Sequence, residues 1–275
     1  MTEPIGPTHS PTHCPAVPFA AQVRERFGRR AADYERHARL QQAMAWRLAH
    51  RCRALELPAG PCADLGAGSG LLSRALIQQH PQLRRRPPLQ LDQCPELLAR
   101  NPLSQADPLA GGGGAVVWDL NAGLPASLRQ AALLASSFAL QWLDQPVREL
   151  ERWCRSLAPG GWLVLAVPTD GSFPQWHQAA DRSGIPCTAL CLPGARDLVA
   201  AADRAGLEPM AQQSLRFSRP GQGGFETLRH LRQLGASASR RAPLSAGQLR
   251  RLLQHWPAAS PLTWEVLLLI ARRPV

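Results

Sequence analysis

The sequence contains no lysine, one tyrosine and three methionines among 275 residues. All 31 basic residues are therefore arginines, and with 20 acidic residues they give a formal net charge of +11. GC-rich coding produces such a composition without selection for binding, so the arginine excess is only mild evidence for an acidic partner. Basic segments interleaved with aromatic residues are also lacking, which argues against nucleic-acid binding.

Paired cysteine spacings are missing as well, although the chain has seven cysteines. An odd number without a Cys-x-x-Cys motif argues for reduced thiols in the cytoplasm rather than a disulfide framework. Cys187 and Cys191 follow His177, but a fourth zinc ligand is not evident, and no metal site is expected. Apolar runs of membrane-span length are missing. Residues 1–18 lack the pattern of a signal peptide, and residues 1–20 are expected to form a disordered tail.

The most informative stretch is Cys62–Ser73, with the sequence CADLGAGSGLLS. Leu57–Leu65 predicts a short buried strand with the acid Asp64 near its end, and a helix is predicted from Leu71 to about His80. A strand, a glycine turn and a helix open a doubly wound α/β sheet, whose ligand lies at the carboxyl ends of the strands. Glycine allows close approach of the backbone to a ligand and positive φ angles in the turn. The glycines alternate along the turn, at Gly66, Gly68 and Gly70.

The spacing of these glycines argues against a dinucleotide site. A dinucleotide fingerprint is G-x-G-x-x-G, whereas the position three after Gly68 is Leu71. The pattern D-x-G-x-G-x-G resembles motif I of class I S-adenosyl-L-methionine-dependent methyltransferases. That resemblance implies cofactor contacts from five positions of the turn: Asp64, Gly66, Ala67, Gly68 and Gly70.

Further acids follow at the expected intervals. Leu89–Asp92 predicts a second strand, and Asp92, followed by Gln93, is placed to accept hydrogen bonds from a ribose diol. A solvated loop would explain Asp92 equally well. Ala115–Trp118 predicts a third strand, and the resemblance implies that Asp119 and Leu120, which follow it, face the adenine.

A fourth strand is predicted at Ala131–Ala135, after which the resemblance places Ser136 at the cofactor. Leu157–Ala166, LAPGGWLVLA, resembles the L-x-P-G-G entry to strand five of these methyltransferases. Leu207–Ser218 and Leu262–Ala271 predict the last two strands. The expected fold is α/β and Rossmann-like, with a seven-stranded, mostly parallel sheet, helices on both faces and a helical lid.

Helical segments flank this predicted core. From Ala21, apolar residues at helical spacing predict one leading helix that carries Tyr34. Core packing and a place at the cofactor are equally good explanations of Tyr34. One domain is expected over 21–275, with lid segments near 171–195 and 222–256. The apolar stripe of the leading helix consists of Val23, Phe27, Ala31, Tyr34 and Ala38.

Several segments along the chain point to a narrower family. They are the leading segment 27–41, SSFALQW (136–142), GSFP (171–174), HQA (177–179), LRHLRQLGA (228–236) and PLTW (261–264). These segments resemble the malonyl–acyl-carrier-protein O-methyltransferases of biotin synthesis, and the resemblance covers nearly the whole chain from about Val23. The sequence departs from that family at Ala131-Ala132, where Phe-Asp is usual, and at Ser137, where Asn is common.

The resemblance implies methylation of the free carboxylate of malonyl-phosphopantetheine on an acyl carrier protein, an acidic partner. A carboxylate in a dry pocket needs a cation, and Arg229 and Arg232 are the candidates. A solvated helix face explains either arginine slightly better when it is considered separately. Gln141, Trp142 and His177 would complete the pocket, although Trp142 is equally explained as a core residue.

Two other functions stay open. A class I methyltransferase for another small acid or natural product fits the same fold, because lids change the substrate within one fold. A non-catalytic binding protein with this cofactor fold, acting on RNA, is the second alternative. The intact glycine turn and the acids at Asp92 and Asp119 argue against a lost cofactor site.

Overall fold

Seven strands form one sheet, in the order β3-β2-β1-β4-β5-β7-β6, within the residues that the computed structural model describes, 18–104, 113–221, 223–258 and 260–275. The first five strands are parallel, and β7 is antiparallel to both of its neighbours. The predicted mostly parallel α/β sheet is confirmed. The strands are β1 Cys62–Leu65, β2 Leu89–Asp92, β3 Ala115–Val117, β4 Ala131–Ser137, β5 Leu157–Pro168, β6 Glu208–Arg219 and β7 Leu262–Arg272.

Helices cover both faces of this sheet. Successive residues of a strand point to opposite faces, so each central strand contributes to two cores. Leu133 packs with α3 and α4 on one face, whereas Leu134 packs with α7 and α9 on the other. The helices in the described ranges are α1 Phe19–Gly28, α2 Tyr34–His37, α3 Arg39–Cys52, α4 Leu71–Gln79, α5 Pro81–Arg85, α6 Pro95–Leu98, α7 Pro146–Arg155, α8 Pro174–Ser183, α9 Ala195–Arg204, α10 Gly224–Gln233 and α11 Ala246–Gln254.

The predicted leading helix, with its stripe from Val23 to Ala38, is divided into two helices, α1 and α2, and α3 follows them directly. Turns separate α1 from α2, and Ala38, with φ −85° and ψ 37°, separates α2 from α3. Val23, Ala31 and Ala38 are nevertheless all buried. The apolar periodicity therefore identified the buried face correctly, but not the breaks between the helices.

Two shorter elements also differ from the predictions. β1 begins at Cys62 and not at Leu57, because Gly60 has φ +135° and two prolines surround it. Proline lacks the N–H that a sheet ladder needs. The three consecutive arginines at 84–86 predict a solvated loop over Leu83–Pro88, but α5 extends to Arg85, and the Leu83 side chain is completely buried.

Of the two expected lid segments, 171–195 contributes α8 and 222–256 contributes α10 and α11, with residue 222 outside the described ranges. α8 packs on α11 through a small cluster that includes Ala180, Leu252 and Trp256. α9 precedes β6 and packs under the sheet. Of the expected tail 1–20, residues 1–17 lie outside the described residues. Among the described helices, none has the length and apolar character needed to cross a bilayer.

Candidate active site

The turn between β1 and α4 forms the floor of a cavity at the carboxyl ends of the parallel strands. Gly66, Gly68 and Gly70 all have positive φ, of +77°, +54° and +82°. A Cβ on Gly66 would overlap the Cβ of Ala139, and a Cβ on Gly70 would overlap the Asn101 amide. Gly68 is different, since its nearest neighbour would be Leu97 Cδ1 at 3.7 Å. Two of the glycines therefore allow close packing, and Gly68 is open on the cavity side.

Asp64 lies under this turn with its carboxylate facing the cavity. Its Oδ2 accepts hydrogen bonds from the Ser73 backbone N–H at 3.0 Å and from the Ser73 hydroxyl at 2.8 Å. Its Oδ1 is buried and has no hydrogen-bond partner in the described part of the chain. Burial raises the pKa of Asp64 to about 7, from a usual 3.8. An unpartnered buried carboxylate oxygen favours a cationic or N–H-bearing ligand.

Asp92, at the end of β2, is held by the backbone of the loops around it. Its Oδ2 accepts a hydrogen bond from the Gly68 N–H at 2.8 Å, and its Oδ1 accepts one from the Cys94 N–H at 2.8 Å. Burial raises the pKa of this carboxyl to about 6. These bonds orient the carboxylate toward the cavity, where it retains acceptor capacity for a ligand hydroxyl.

Asp119 follows β3 and forms part of the far wall of the cavity with Leu120 and Trp118. Its Oδ1 accepts hydrogen bonds from the backbone N–H of Asn121 at 2.9 Å and from the Asn121 side-chain amide at 3.0 Å. The Leu120 side chain is buried. This wall therefore combines an apolar surface with an exposed acceptor, as a planar heterocycle with N–H groups requires.

Aromatic side chains from the leading helices cover the cavity. Phe27 lies edge-on to Trp142, with ring centroids 5.5 Å apart, and it also contacts Tyr34, at 6.1 Å. Burial raises the pKa of Tyr34, and the carboxylates of Asp92 and Glu35 raise it further. The Tyr34 hydroxyl is therefore neutral at physiological pH and can donate a hydrogen bond.

Most of the predicted cofactor contacts line this cavity, and two do not. Gly70 lies behind the turn at the start of α4, against Asn101. Ser136 is inside the sheet, where its hydroxyl donates to the Leu65 carbonyl at 2.7 Å. Ser137, the next residue, faces the cavity because alternate residues of β4 point to opposite sides. The predicted contacts that line the cavity are Tyr34, Asp64, Gly66, Ala67, Gly68, Asp92, Gln93, Asp119 and Leu120.

The predicted substrate residues are dispersed. Trp142 lines the cavity. The Gln141 side chain does not, because it is buried and donates a hydrogen bond to the Phe138 carbonyl at 2.8 Å. That bond stabilises the turn after β4. His177 is exposed on α8, 3.5 Å from the Cys187 sulfur, and does not line the cavity. Arg232 is also exposed, on a side of α10 that lines neither cleft described here.

A second cleft lies beside the cofactor cavity, between the start of α3, the end of β6 and α10. Its charged residues are predominantly basic, and one acid, Glu226, pairs with Arg229 at 2.6 Å. Burial, Arg219 and His37 together lower the pKa of His230 to about 4, so His230 is neutral at physiological pH. This cleft is named the basic cleft below, and its arginine and histidine side chains are Arg36, His37, Arg39, Arg219, Arg229 and His230.

Sequence reasoning missed several residues that line the cavity. Phe27 belonged to the predicted apolar stripe, so its spacing was a usable signal, whereas nothing in the sequence singled out Arg24. Gln41 lines both the cavity and the basic cleft, and it had appeared only as the last residue of a family segment.

The charges of the cavity fit S-adenosyl-L-methionine. Among the described residues that line it, three carboxylates, those of Asp64, Asp92 and Asp119, face a single guanidinium, that of Arg24. This balance disfavours a pyrophosphate and favours a ligand with a sulfonium, an ammonium and a ribose diol. The unpartnered Oδ1 of Asp64 and the open side of Gly68 are consistent with the same ligand.

The sheet order, the glycine turn and the acidic cavity define a class I S-adenosyl-L-methionine-dependent methyltransferase. A model of the methyltransferase domain family matches residues 34–212. A solved structure of a putative methyltransferase from Bacillus halodurans superposes with a TM-score of 0.57 at 13% identity, and the match covers 84% of this chain and 99% of the other. This likeness concerns the fold alone.

Two curated relatives specify the family further. The biotin biosynthesis bifunctional protein BioCD of Bordetella avium is 34% identical over 241 residues, which is 85% of this chain and 48% of that protein. The chain thus spans about half the length of this bifunctional relative. The malonyl-[acyl-carrier protein] O-methyltransferase of Alcanivorax borkumensis is 30% identical over 262 residues, 92% of this chain and 86% of that protein. The chain belongs to the malonyl-[acyl-carrier protein] O-methyltransferase family, and its cofactor is S-adenosyl-L-methionine.

Proposed function

We propose that the protein methylates the free carboxylate of a malonyl group carried on the phosphopantetheine arm of an acyl carrier protein, an early step of biotin synthesis. When bound, S-adenosyl-L-methionine would supply a sulfonium methyl group, which is transferred to a carboxylate oxygen to give a methyl ester and leaves a neutral thioether. The malonyl carboxylate is already ionised at neutral pH, so the protein does not need to supply a general base. Its task is alignment of the two reactants, which is worth roughly 7–11 kcal/mol in favourable cases.

The observation that carries this proposal is that an acidic cavity lies directly beside a basic cleft. The carboxylates of the cavity suit a cationic cofactor, and the guanidinium groups of the cleft suit an anionic acceptor. Gln41 lines both of them, so the two spaces adjoin. A carboxylate that enters through the basic cleft therefore arrives beside the cofactor.

Each part of the cavity has a proposed role. Asp64 accepts from the cationic end of the cofactor, and Asp92 and Gln93 accept from the ribose. Asp119 and Leu120 receive the adenine. The turn Gly66–Gly68 provides the close backbone surface, and Tyr34 and Trp142 cover the reacting methyl and exclude water.

Arg229 is the proposed cation for the substrate carboxylate, because it lines the basic cleft and Arg232 does not. The pair of Arg229 with Glu226 keeps its guanidinium near the cleft in the free protein. We expect Arg229→Ala to raise KM for the malonyl carrier at least about tenfold, the loss of one charge-assisted hydrogen bond. Arg232→Ala, from the same helix, is the matched control and should change KM less than about twofold.

Steady-state kinetics of the two variants check this assignment. Cofactor affinity, measured by calorimetry, should be the same in both variants and in the wild type, because neither arginine lines the cofactor cavity. A larger loss in Arg232→Ala than in Arg229→Ala would assign the carboxylate to the other side of α10.

The proposed partner is an acidic acyl carrier protein, and the proposed location is the cytoplasm, where such carriers and S-adenosyl-L-methionine occur together. Nucleic acid is not proposed as a partner, since the basic side chains that form a cleft surround an opening next to the cofactor.

Transfer of a labelled methyl group tests the proposed function. The purified protein is incubated with labelled S-adenosyl-L-methionine and either malonyl carrier, malonyl-coenzyme A or free malonate. We expect base-labile methyl ester on the malonyl carrier, with the highest kcat/KM of the three substrates. Cofactor binding without transfer to any malonyl thioester would contradict the proposal and favour another acid.

A further inference from the structure

The side chain of Gln41 lies where the cofactor cavity meets the basic cleft, and it lines both. Gln41 is only 7% exposed. Its amide has no hydrogen-bond partner among the residues that the structure describes, although the amide of its neighbour Gln42 donates to the Glu35 carbonyl at 2.7 Å. An amide that lines two open spaces without a protein partner keeps its donor and acceptor groups available, so this one is expected to bind a ligand group.

We propose that the Gln41 amide binds one oxygen of the substrate carboxylate and thereby positions the other oxygen for attack on the methyl group. This inference rests on the proposed function and assigns a substrate-contacting residue that the family resemblance did not single out. One C–O bond forms and one C–S bond breaks, and no proton changes place.

The chemistry of an amide suits this position better than a second guanidinium would. An arginine fork binds both oxygens of a carboxylate and withdraws charge from them, which weakens the nucleophile. The Gln41 amide is neutral and donates through one nitrogen. It can hold one oxygen while the second keeps its lone pairs free for the methyl carbon.

The surroundings of Gln41 favour an anion at the same place. Gln41 is in the first turn of α3, a helix of 14 residues that begins at Arg39 and has no side-chain cap. Unpaired backbone N–H groups and the helix dipole make such an end electropositive. Arg39 and His37 line the adjoining cleft. Attraction from the guanidinium groups of the cleft draws the carboxylate in, and the neutral amide fixes its final orientation.

The test compares Gln41→Leu with wild type in methyl transfer to the malonyl carrier. Leucine keeps the volume of the side chain and removes its hydrogen bonds. We expect kcat to fall roughly 10- to 100-fold, because the lost bond acts in the transition state, while the Kd for S-adenosylhomocysteine changes less than about twofold. Gln41→Glu should instead raise KM for the carrier, since a carboxylate there repels the substrate carboxylate.

Two controls keep the outcome decisive. Gln42→Leu removes a hydrogen bond from the same helix without reaching either cleft, so its kcat should stay within about threefold of wild type. Gln41→Asn retains the amide and should recover part of the kcat lost in Gln41→Leu, even if the leucine variant unfolds more easily. Wild-type kcat/KM in Gln41→Leu, or a loss of cofactor affinity that parallels the loss of activity, would overturn the inference. No transfer by the wild type would contradict the proposed function itself, and the inference with it.

Discussion

At Gly66 the backbone turns next to Ala139, and no side chain fits between them. The residue is needed for two separate reasons, its left-handed φ of +77° and the overlap that a Cβ would make with the Cβ of Ala139. Each reason has its own free-energy cost, and the two can be separated by mutation. The same turn also holds the unpartnered oxygen of Asp64, so stability and cofactor binding depend on neighbouring residues.

We expect Gly66→Ala to lower the free energy of unfolding by about 2–5 kcal/mol, from overpacking and from the left-handed backbone together. Ala139→Gly in the same chain removes the overlap and should restore only part of the loss, because the φ strain remains. Denaturant unfolding of the single and double variants measures both effects. A double variant no more stable than Gly66→Ala alone would show that the contact with Ala139 is unimportant.

A second expectation concerns the pH dependence of cofactor binding. The pKa of Asp64 is raised to about 7 and that of Asp92 to about 6, so both carboxyls of the free protein gain charge as the pH rises through this range. A cationic ligand prefers the ionised carboxylates. Affinity for S-adenosyl-L-methionine should therefore rise between about pH 5.5 and pH 8.

Calorimetry across this pH range checks the expectation, and binding at low pH should release protons to the buffer. Asp64→Asn removes one titrating group and should flatten much of the dependence. The free protein should show the opposite trend in stability. Between about pH 3.8 and pH 7 the folded state holds more protons than the unfolded state, so these groups lower the free energy of unfolding as the pH rises through that range. A cofactor Kd independent of pH in the wild type would contradict the role given to Asp64.

At the scale of the secondary-structure elements, α1 covers the cavity. Its outer side contacts Arg240, which lies in the segment between α10 and α11. The Arg240 guanidinium lies 3.8 Å from the ring centroid of Phe19, at the start of α1. It also donates to Asp144 and to the Leu143 carbonyl, each at 2.9 Å. One side chain thus joins α1, the turn after β4 and the segment after α10.

Arg240→Ala should weaken the attachment of α1 over the cavity and raise the dissociation rate of the cofactor about three- to tenfold. This factor corresponds to the loss of one cation–π contact and its hydrogen bonds. Arg241→Ala, the exposed neighbour, serves as the control. Stopped-flow displacement of a fluorescent cofactor analogue measures the rate. Equal rates in the two variants would show that α1 does not limit cofactor release.

The elements around the cofactor were predictable because each depends on residues close together in sequence. The turn from Asp64 to Gly70 and the acids at Asp92 and Asp119 follow their strands directly, and parallel strands bring their carboxyl ends to one edge. The predicted cofactor contact at Ser136 is off by one residue, because successive side chains of β4 point to opposite sides and Ser137 is the one that lines the cavity. A shift of one position reverses the side on which a side chain lies.

The substrate side was less predictable for a different physical reason. Arg229 and Arg232 are three residues apart on α10, so local periodicity gives them nearly the same face. Only the packing of α10 beside α2 and the end of β6 decides which of them reaches a cleft. Gln141 was misplaced for a similar reason, because its bond to the Phe138 carbonyl belongs to a turn that the sequence did not show.

For the whole molecule, the important feature is the separation of charge between adjoining clefts in a chain of net charge +11. The basic cleft should attract an acidic carrier over a distance, and salt should screen that attraction. We expect KM for the malonyl carrier to rise several-fold between about 50 mM and 300 mM salt, and KM for malonyl-pantetheine, which lacks the protein, to rise much less. Parallel steady-state assays measure the difference. The same salt dependence for both substrates would place the carrier away from the basic cleft.

A structure with S-adenosylhomocysteine and malonyl-pantetheine bound together tests the central claim most directly. It should show the adenosyl group against Asp92 and Asp119, and the malonyl carboxylate within hydrogen-bond distance of Gln41, with the thioester directed out through the basic cleft. A malonyl group that binds anywhere else while the cofactor is in its cavity would contradict the claim that the two clefts meet at the reacting atoms.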